Sequence, residues 1–124
     1  MCQMLLSINP EHVENILLGK KKFEFRKVRC KNDIDKIIIY ATHPVMQVVA
    51  EVEVIEIIDG NLDSVWDQTS EYAGISKNFF YAYYEGKERA IAYRLGKVKK
   101  YRRPKTLSDF GIRVAPQSFV YLHS

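Results

Sequence analysis

Cysteine is scarce in this chain, with Cys2 and Cys30 the two among 124 residues. Two cysteines cannot form the disulfide framework of a small secreted domain, so the sequence predicts reduced thiols and a cytoplasmic protein. Histidine is almost as scarce, and His12, His43 and His123 show no metal-ligand spacing with either cysteine. We therefore expect neither a bound metal nor another cofactor.

Long hydrophobic runs are missing as well. No apolar stretch approaches the roughly 18 residues that a membrane-spanning helix needs, and the first residues lack the basic segment of a signal peptide. The chain shows no repeat, low-complexity tract or linker. Because 47% of the residues are hydrophobic and 27% are charged, the composition is that of a folded protein. The sequence predicts a single domain over residues 1–124 with no membrane segment.

Positive charge is in excess, with a formal net charge of +4, and it is concentrated in two segments. The first covers residues 20–31. The second, called the basic run below, consists of Lys97, Lys99, Lys100, Arg102, Arg103 and Lys105. If the two segments lie side by side in the fold, they form one surface that attracts phosphates. Alternatively, they are solvated strand ends whose charges serve solubility and protect strand edges.

Apolar periodicity and end signals predict the element order β-α-β-β-β-α-α-β-turn-β. Strands are expected at residues 4–8, 23–26, 36–42, 47–58, 89–101 and 118–122, helices at 10–18, 61–73 and 77–85, and a capped turn at 106–111. Strands outnumber helices and do not alternate regularly with them, which excludes a doubly wound parallel sheet. We predict an α+β fold, a small mixed or antiparallel barrel with helices packed at its side and ends.

Residues 19–26 combine a glycine that ends a helix with charged side chains on the strand that follows. Side chains alternate faces along a strand, so Lys22, Glu24 and Arg26 share one face while the two phenylalanines between them share the other. The aromatic face belongs to the core. The charged face therefore meets either solvent or a polar cleft.

Gly19, Lys21, Glu24 and Arg26 fill all four positions of a GxKxxExR motif at a helix-to-strand junction. With this motif the chain resembles the ASCH domain family, a member of the PUA-like superfamily of small β-barrels. The likeness extends over the strand-helix opening, the long valine-rich strand and the two aromatic helices. It implies a PUA-like barrel with a cleft between the first helix and the barrel. The superfamily includes domains that bind RNA or hold one modified base.

The function that this resemblance implies is binding of RNA or of a nucleotide or nucleoside ligand, in RNA metabolism or in the regulation of transcription or translation. Arg26 offers a planar fork of donors, Lys21 a compact charge and Glu24 an acceptor for an exocyclic amine. Tyr40 can stack a base, and neutral hydrogen bonds complete the set. The predicted ligand-binding residues are Lys21, Glu24, Arg26, Tyr40, Thr42, Gln117 and Ser118. The basic run would follow the RNA phosphates.

Catalysis in the same cleft is an alternative. Some small bacterial ASCH proteins hydrolyse acetylated cytidine with a threonine nucleophile at the position of Glu24. A carboxylate cannot replace that hydroxyl in acyl transfer, although Glu24 can act as a base on water. A metal-independent ribonuclease would use Lys21, Glu24 and Tyr40 as acid-base groups. A third alternative is a protein-interaction module with protein partners, and a monomer or weak homodimer is expected in each case.

Three further expectations concern structural roles. Six aromatic residues at helical spacing favour packing in the core or at its rim over a stacking platform: Trp66, Tyr72, Phe79, Phe80, Tyr83 and Tyr84. His12 stands beside acidic neighbours in the first helix and is expected to be exposed. Glu24 and Arg26 can alternatively pair with each other, or with Glu51 or Lys22, and hold the mouth of the barrel closed.

Overall fold

Helices and strands follow one another in the order that the sequence predicts. The computed structural model describes residues 3–29 and 34–122; the predicted loop at 31–33 and Cys2, Cys30 and His123 lie outside the described residues. The elements are β1 (Gln3–Ile8), α1 (Pro10–Leu17), β2 (Phe23–Arg26), β3 (Lys36–Ala41), β4 (Gln47–Asn61), α2 (Leu62–Thr69), α3 (Lys77–Tyr83), β5 (Arg89–Lys105) and β6 (Phe119–Leu122). Short 3₁₀ turns cover Ser70–Tyr72 and Leu107–Phe110.

Local signals fix both ends of α1. The Asn9 side chain accepts a hydrogen bond from the Glu11 backbone N–H at 2.9 Å, and Pro10 takes the first helical position. After the helix, Gly19 adopts a φ of 78°, a left-handed conformation that glycine reaches without a steric penalty. The chain therefore turns at Gly19 and places the motif residues along the start of β2.

The strands form one mixed sheet in the order β2-β5-β4-β3-β1-β6. β1 and β3 run parallel, and the other neighbours are antiparallel. The sheet curves into a half-barrel with β2 and β6 as its two edges, which confirms the predicted α+β barrel class. Register shifts in the long β4–β5 pair accompany this curvature, since bulges increase local twist and bend a strand.

Two apolar layers cover the two sides of β1 and β3. On one side α1 packs Val13 and Ile16 against a cluster that includes Met4 and Leu6. On the other side the chain after β5 covers a separate cluster, defined by Leu5, Ile38, Tyr40, Val48 and Tyr101. Both faces of these strands are therefore buried, which explains their near-continuous apolar sequences.

The aromatic residues of α2 and α3 pack mainly as predicted. Phe80 and Tyr84 are fully buried, in a cluster with Phe23 and Phe25 of β2. Full burial of one such ring contributes about 1.5–3 kcal/mol. Trp66 packs against the same cluster from its rim. α3 is therefore anchored by two aromatic residues four positions apart, Phe80 and Tyr84. Its Phe79 lies beside His12 of α1.

Candidate functional site

A cavity of about 180 Å³ lies between α1, β2 and α3, and we call it the motif cleft. Its polar side is formed by Lys21, Glu24 and Arg26 of the motif together with His12 of α1. Its apolar side is formed by Ile75, Phe79 and Tyr83. The structure thus brings three of the four motif residues to one concave surface, because β2 begins directly beside the end of α1.

Lys21 is the most unusual group in the motif cleft. Its side chain is almost fully buried, with the residue 3% exposed. Its ammonium donates one hydrogen bond, to the Ala73 main-chain oxygen at 2.8 Å, and lies 4.9 Å from the centre of the Phe25 ring. In residues 3–29 and 34–122, no carboxylate lies within 4.0 Å of this ammonium. An ammonium has three N–H donors, so two remain for a ligand or for solvent.

Burial of Lys21 opposes its charge. Burial lowers the pKa of Lys21 from its ordinary value of 10.5, and the guanidinium of Arg26 lowers the pKa further. The nearby Glu24 carboxylate acts in the opposite direction. An ammonium in this place is therefore less strongly protonated than a surface lysine and donates its remaining hydrogen bonds inside a poorly solvated cleft.

Gly74 fixes the path of the Lys21 side chain. It has a φ of 71°, and a Cβ atom placed on it would lie 2.6 Å from Cβ and Cγ of Lys21. No side chain fits at that distance, and the left-handed backbone conformation is also unfavourable for other residues. The backbone at Gly74 therefore lies directly against the lysine stem and holds the ammonium at the Ala73 oxygen.

Glu24 and Arg26 pair with each other, as one of the predicted alternatives describes. Nη2 and Nε of Arg26 lie 2.8 and 3.1 Å from the same carboxylate oxygen, Oε2 of Glu24. The two side chains are 9% and 13% exposed, so the ion pair is largely desolvated. Neither group uses Glu51 or Lys22: Glu51 pairs with Lys36 at 2.7 Å, and the Lys22 ammonium lies over the Tyr72 ring.

Arg26 also reaches across the opening of the half-barrel. Its Nη2 donates to the Ser7 main-chain oxygen at 3.1 Å, and its Nη1 donates to Oγ of Ser118 at 3.3 Å. Because a guanidinium has five N–H donors, one Nη1–H remains for a ligand. Arg26 is thus mainly a structural side chain that joins β2 to β1 and to the residue before β6.

His12 is half-buried in the motif cleft, and the expectation that it is exposed is wrong. It lies four residues before Ile16 and therefore on the same side of α1, which is the sequence signal for its position. Its ring meets the ring of Phe79 edge to face, with centroids 6.3 Å apart. Its Nδ1 is buried, and no partner for it lies within the described residues. Burial and the charge of Lys21 lower the pKa of His12 below 6.5.

Phe79 and Tyr83 form a flat apolar wall of the motif cleft. Their rings are nearly parallel, with planes 8° apart and centroids separated by 6.5 Å. Phe79 is 51% exposed, which is unusual for a phenylalanine, and the Lys27 ammonium lies 4.7 Å from the centre of the Tyr83 ring. Helical spacing alone does not show that these two aromatic residues face the motif.

Several predicted site residues lie elsewhere. Tyr40 is 4% exposed and belongs to the cluster on the sheet face opposite α1, so the structure does not bring it to the motif cleft. Thr42 follows β3 and gives its backbone N–H to the Ile8 oxygen at 3.0 Å. Gln117 is exposed, and neither Thr42 nor Gln117 is among the described residues that line the cleft. Ser118 does not line the cleft, but its Oγ accepts a hydrogen bond from Arg26 and its main-chain oxygen accepts one from Ser7, and both of these residues line it.

The basic run occupies the far half of β5. β2 pairs with β5 only as far as Arg94, and the Leu95 N–H then donates to the Lys22 oxygen at 2.8 Å, so the two basic segments adjoin. Lys97 and Lys99 share a shallow surface with the carboxylate of Glu51. The basic residues that the structure leaves exposed further along are Lys100, Arg102, Arg103 and Lys105.

The described residues form neither a metal centre nor a membrane-spanning helix. Over residues 3–29 and 34–122, no three side chains of histidine, cysteine, aspartate or glutamate are grouped so that they could hold a metal ion. Within the same ranges, no helix has the length and apolar character needed to cross a membrane. Among the described residues, the charged ones that are buried are Lys21 and Glu24, and both line the motif cleft.

A six-stranded half-barrel flanked by helices, with the motif charges in a cleft beside the first helix, is a PUA-like domain. The family model of the ASCH domain matches residues 6–103, and this chain belongs to the ASCH domain family. The crystal structure of ASCH from Zymomonas mobilis matches with a TM-score of 0.87 at 29% identity. That match covers 98% of this chain and 87% of the Zymomonas chain.

Two curated proteins show the range of relatives. The large ribosomal subunit protein uL22 of Ureaplasma parvum is 32% identical over 120 residues, which is 96% of this chain and 39% of that protein. The ASCH domain-containing ribonuclease of Zymomonas mobilis is 32% identical over 94 residues, which is 75% of this chain and 64% of that protein. The chain thus spans less than two thirds of the length of either relative.

Proposed function

We propose that this chain binds single-stranded RNA and holds one unstacked base in the motif cleft. The observation that carries this proposal is the buried ammonium of Lys21, which has one acceptor among the described residues and lines the cleft. A buried charge with unmet hydrogen bonds is unfavourable unless a partner supplies acceptors. A carbonyl oxygen on a base edge is such an acceptor.

The shape and polarity of the motif cleft suit a single base. Its volume of about 180 Å³ is below the roughly 300–1,000 Å³ of clefts that hold drug-sized ligands. Phe79 and Tyr83 offer a wall on which a base can stack, as aromatic residues do in many single-strand binding proteins. Lys21 can donate to a carbonyl and Glu24 can accept from an amine. Cytosine and guanine present both groups, whereas adenine lacks the carbonyl and uracil lacks the exocyclic amine.

The basic run would hold the RNA phosphates next to this base. Lys100, Arg102 and Arg103 are exposed on β5, and the first basic segment adjoins β5 at Lys22. The relative named a ribonuclease supports RNA as the polymer. Such a protein would act in RNA metabolism or in the regulation of transcription or translation. Because phosphate contacts release counterions, the affinity for RNA is expected to fall steeply as salt rises.

Fluorescence anisotropy with four labelled homopolymeric hexanucleotides tests the proposal. We expect the cytidine or guanosine hexamer to bind more tightly than the adenosine and uridine hexamers. Glu24→Gln should reduce that preference, because an amide can donate where the carboxylate accepts. Glu85→Gln, a change at an exposed loop residue, is the matched control and should leave the preference intact. Equal affinity of wild type and Lys21→Met for every hexamer would overturn the proposal.

Cleavage of RNA in the same cleft is the second candidate function, favoured by the name of the Zymomonas relative and by the lowered pKa of Lys21. Unprotonated Lys21 would take the proton of a ribose 2′-hydroxyl. The 2′-oxygen would then attack the adjacent phosphorus, and the bond to the 5′-oxygen would break as that oxygen takes up a proton. The products would be a 2′,3′-cyclic phosphate and a 5′-hydroxyl end. Detection of these ends with wild type in the presence of EDTA, and not with Lys21→Met, supports cleavage.

A further inference from the structure

A second and larger cavity, of about 540 Å³, lies beside the motif cleft. It is bounded by the end of α1, the start of β2, the end of α2 with the turn that follows, and residues 94–98 of β5. Lys21 lines both cavities, and no other described residue does so. The two spaces are therefore neighbours separated by the Lys21 side chain, which Gly74 holds in place.

The side chains that line this second cavity include three cations and two aromatic rings. The Lys22 ammonium lies 4.3 Å from the centre of the Tyr72 ring, and Tyr72 is 41% exposed. The Arg94 guanidinium lies 5.0 Å from the centre of the Phe23 ring, while its Nε pairs with Glu56. Three cations line the cavity against a single carboxylate among the described lining residues, Glu71. This lining suits a ligand that combines a planar ring with an anionic group.

The second cavity also lies between the two regions that the proposed function assigns to RNA. Its floor includes Leu95, Gly96 and Val98, where the basic run begins. Its other end meets Lys21 and thereby the motif cleft. The second cavity therefore offers a direct path for a strand of RNA that has one base in the motif cleft and its phosphates on the basic run.

We propose that the second cavity is a nucleotide subsite for the residue adjacent to the base in the motif cleft. The base of this second nucleotide would lie against Tyr72, and its phosphate would contact Lys22 and Arg94. The volume falls within the roughly 300–1,000 Å³ range of small-molecule sites, which is sufficient for a nucleotide. This assignment rests on the proposed function, since it concerns a neighbouring residue of the same RNA strand.

Calorimetric titration with cytidine, the dinucleotide CpC and the hexamer tests the subsite. Gln68→Trp fills the second cavity from an exposed position of α2, and Ser70→Trp adds the same ring at an exposed position that lines neither cavity. We expect CpC to bind wild type about tenfold more tightly than cytidine, equivalent to about 1.4 kcal/mol. Gln68→Trp should lose this gain and still bind cytidine as wild type does. Ser70→Trp should keep the gain.

Lys22→Ala provides an independent variant at an exposed side chain. It should reduce the gain in affinity that the second nucleotide provides. It should also lower the salt dependence of CpC binding by the amount expected for about one phosphate contact. If Gln68→Trp still binds CpC about tenfold more tightly than cytidine, and thermal unfolding shows that the variant is folded, the subsite alone is overturned. Failure of wild type to bind the nucleoside, the dinucleotide and the hexamer of both cytidine and guanosine overturns the proposed function and the subsite with it. The two failures are thereby distinguished.

Discussion

Nη2 of Arg26 lies 3.1 Å from the main-chain oxygen of Ser7, so one side chain connects the edge strand β2 to β1 across the open side of the half-barrel. The same guanidinium pairs with Glu24 and donates to Ser118, which precedes the other edge strand. Because β2 and β6 are the two edges of the sheet and do not pair with each other, this side chain is one of the contacts that hold the open side of the half-barrel together. The last position of the motif therefore closes the fold beside the cleft that it lines together with Lys21 and Glu24.

Replacement of Arg26 by lysine should destabilise the protein by about 1–3 kcal/mol. A lysine keeps the charge but cannot serve Glu24, Ser7 and Ser118 together, because it lacks the planar fork of donors. Urea denaturation at neutral pH measures the change. Arg113→Lys, at an exposed position, is the control. If the two variants are equally stable, the contacts of Arg26 with Ser7, Ser118 and Glu24 do not stabilise the open side of the half-barrel.

Lys21→Met should make the protein more stable and, if the proposed site is correct, weaken its binding of RNA. The lowered pKa of Lys21 means that the unfolded chain binds this proton more strongly than the folded protein. Charged Lys21 therefore costs stability at neutral pH, and the cost diminishes as pH rises toward 10.5, the ordinary value. Methionine fills a similar volume without a charge, so we expect a gain on the order of 1 kcal/mol at pH 7.

Thermal unfolding of Lys21→Met and of the exposed control Lys20→Met checks this expectation. Only the change at Lys21 should raise the melting temperature at pH 7, and its advantage over wild type should shrink as pH increases toward 10.5. RNA binding should be lost in Lys21→Met and retained in Lys20→Met. A Lys21→Met protein that is less stable than wild type would show that the ammonium stabilises the fold.

His12 should make the fold sensitive to mild acid. Its pKa is lowered from 6.5, so the unfolded chain takes up this proton first and stability falls as pH drops below 6.5. His12→Gln should flatten the dependence of melting temperature on pH as pH falls below 6.5. His43→Gln, at an exposed histidine, should follow the wild-type profile.

Phe79→Ala should weaken binding of a single base with little effect on stability. The ring is half exposed and forms the outer wall of the motif cleft, so its removal takes away a stacking surface and leaves the buried Phe80 in place. Loss of one base-aromatic stack corresponds to about 1–3 kcal/mol of binding free energy. Titration with cytidine measures the change, with the exposed Val114→Ala as control. Unchanged affinity would place the base away from α3.

The elements of the fold were predictable from the sequence because their signals are local. Asn9, Pro10 and Gly19 specify the ends of α1 by their own conformational preferences, and Thr106 caps the predicted turn after β5 in a capping box with Asp109. The order of the strands in the sheet, including the parallel β1–β3 pair, depends on contacts between distant residues. The sequence analysis therefore predicts a mixed or antiparallel barrel but no strand order.

The candidate site was predictable only in part, for two physical reasons. In β3 successive residues are all buried, with Ile39 in one cluster and Tyr40 in the other, so an apolar run cannot show which face meets the ligand. His12 and Phe79 belong to helices whose orientation is set by packing on the sheet. Their approach to each other across the motif cleft is a tertiary contact without a local signal.

Nuclear magnetic resonance mapping of cytidine binding tests the central claim most directly, because it reports where the base lies. The account predicts that the largest changes in chemical shift occur in the ring signals of His12 and Phe79 and in the side-chain signals of Lys21, and that they saturate together. Lys21→Met should abolish them. Changes confined to the basic run, with the three cleft side chains unaffected, would contradict the placement of a base in the motif cleft.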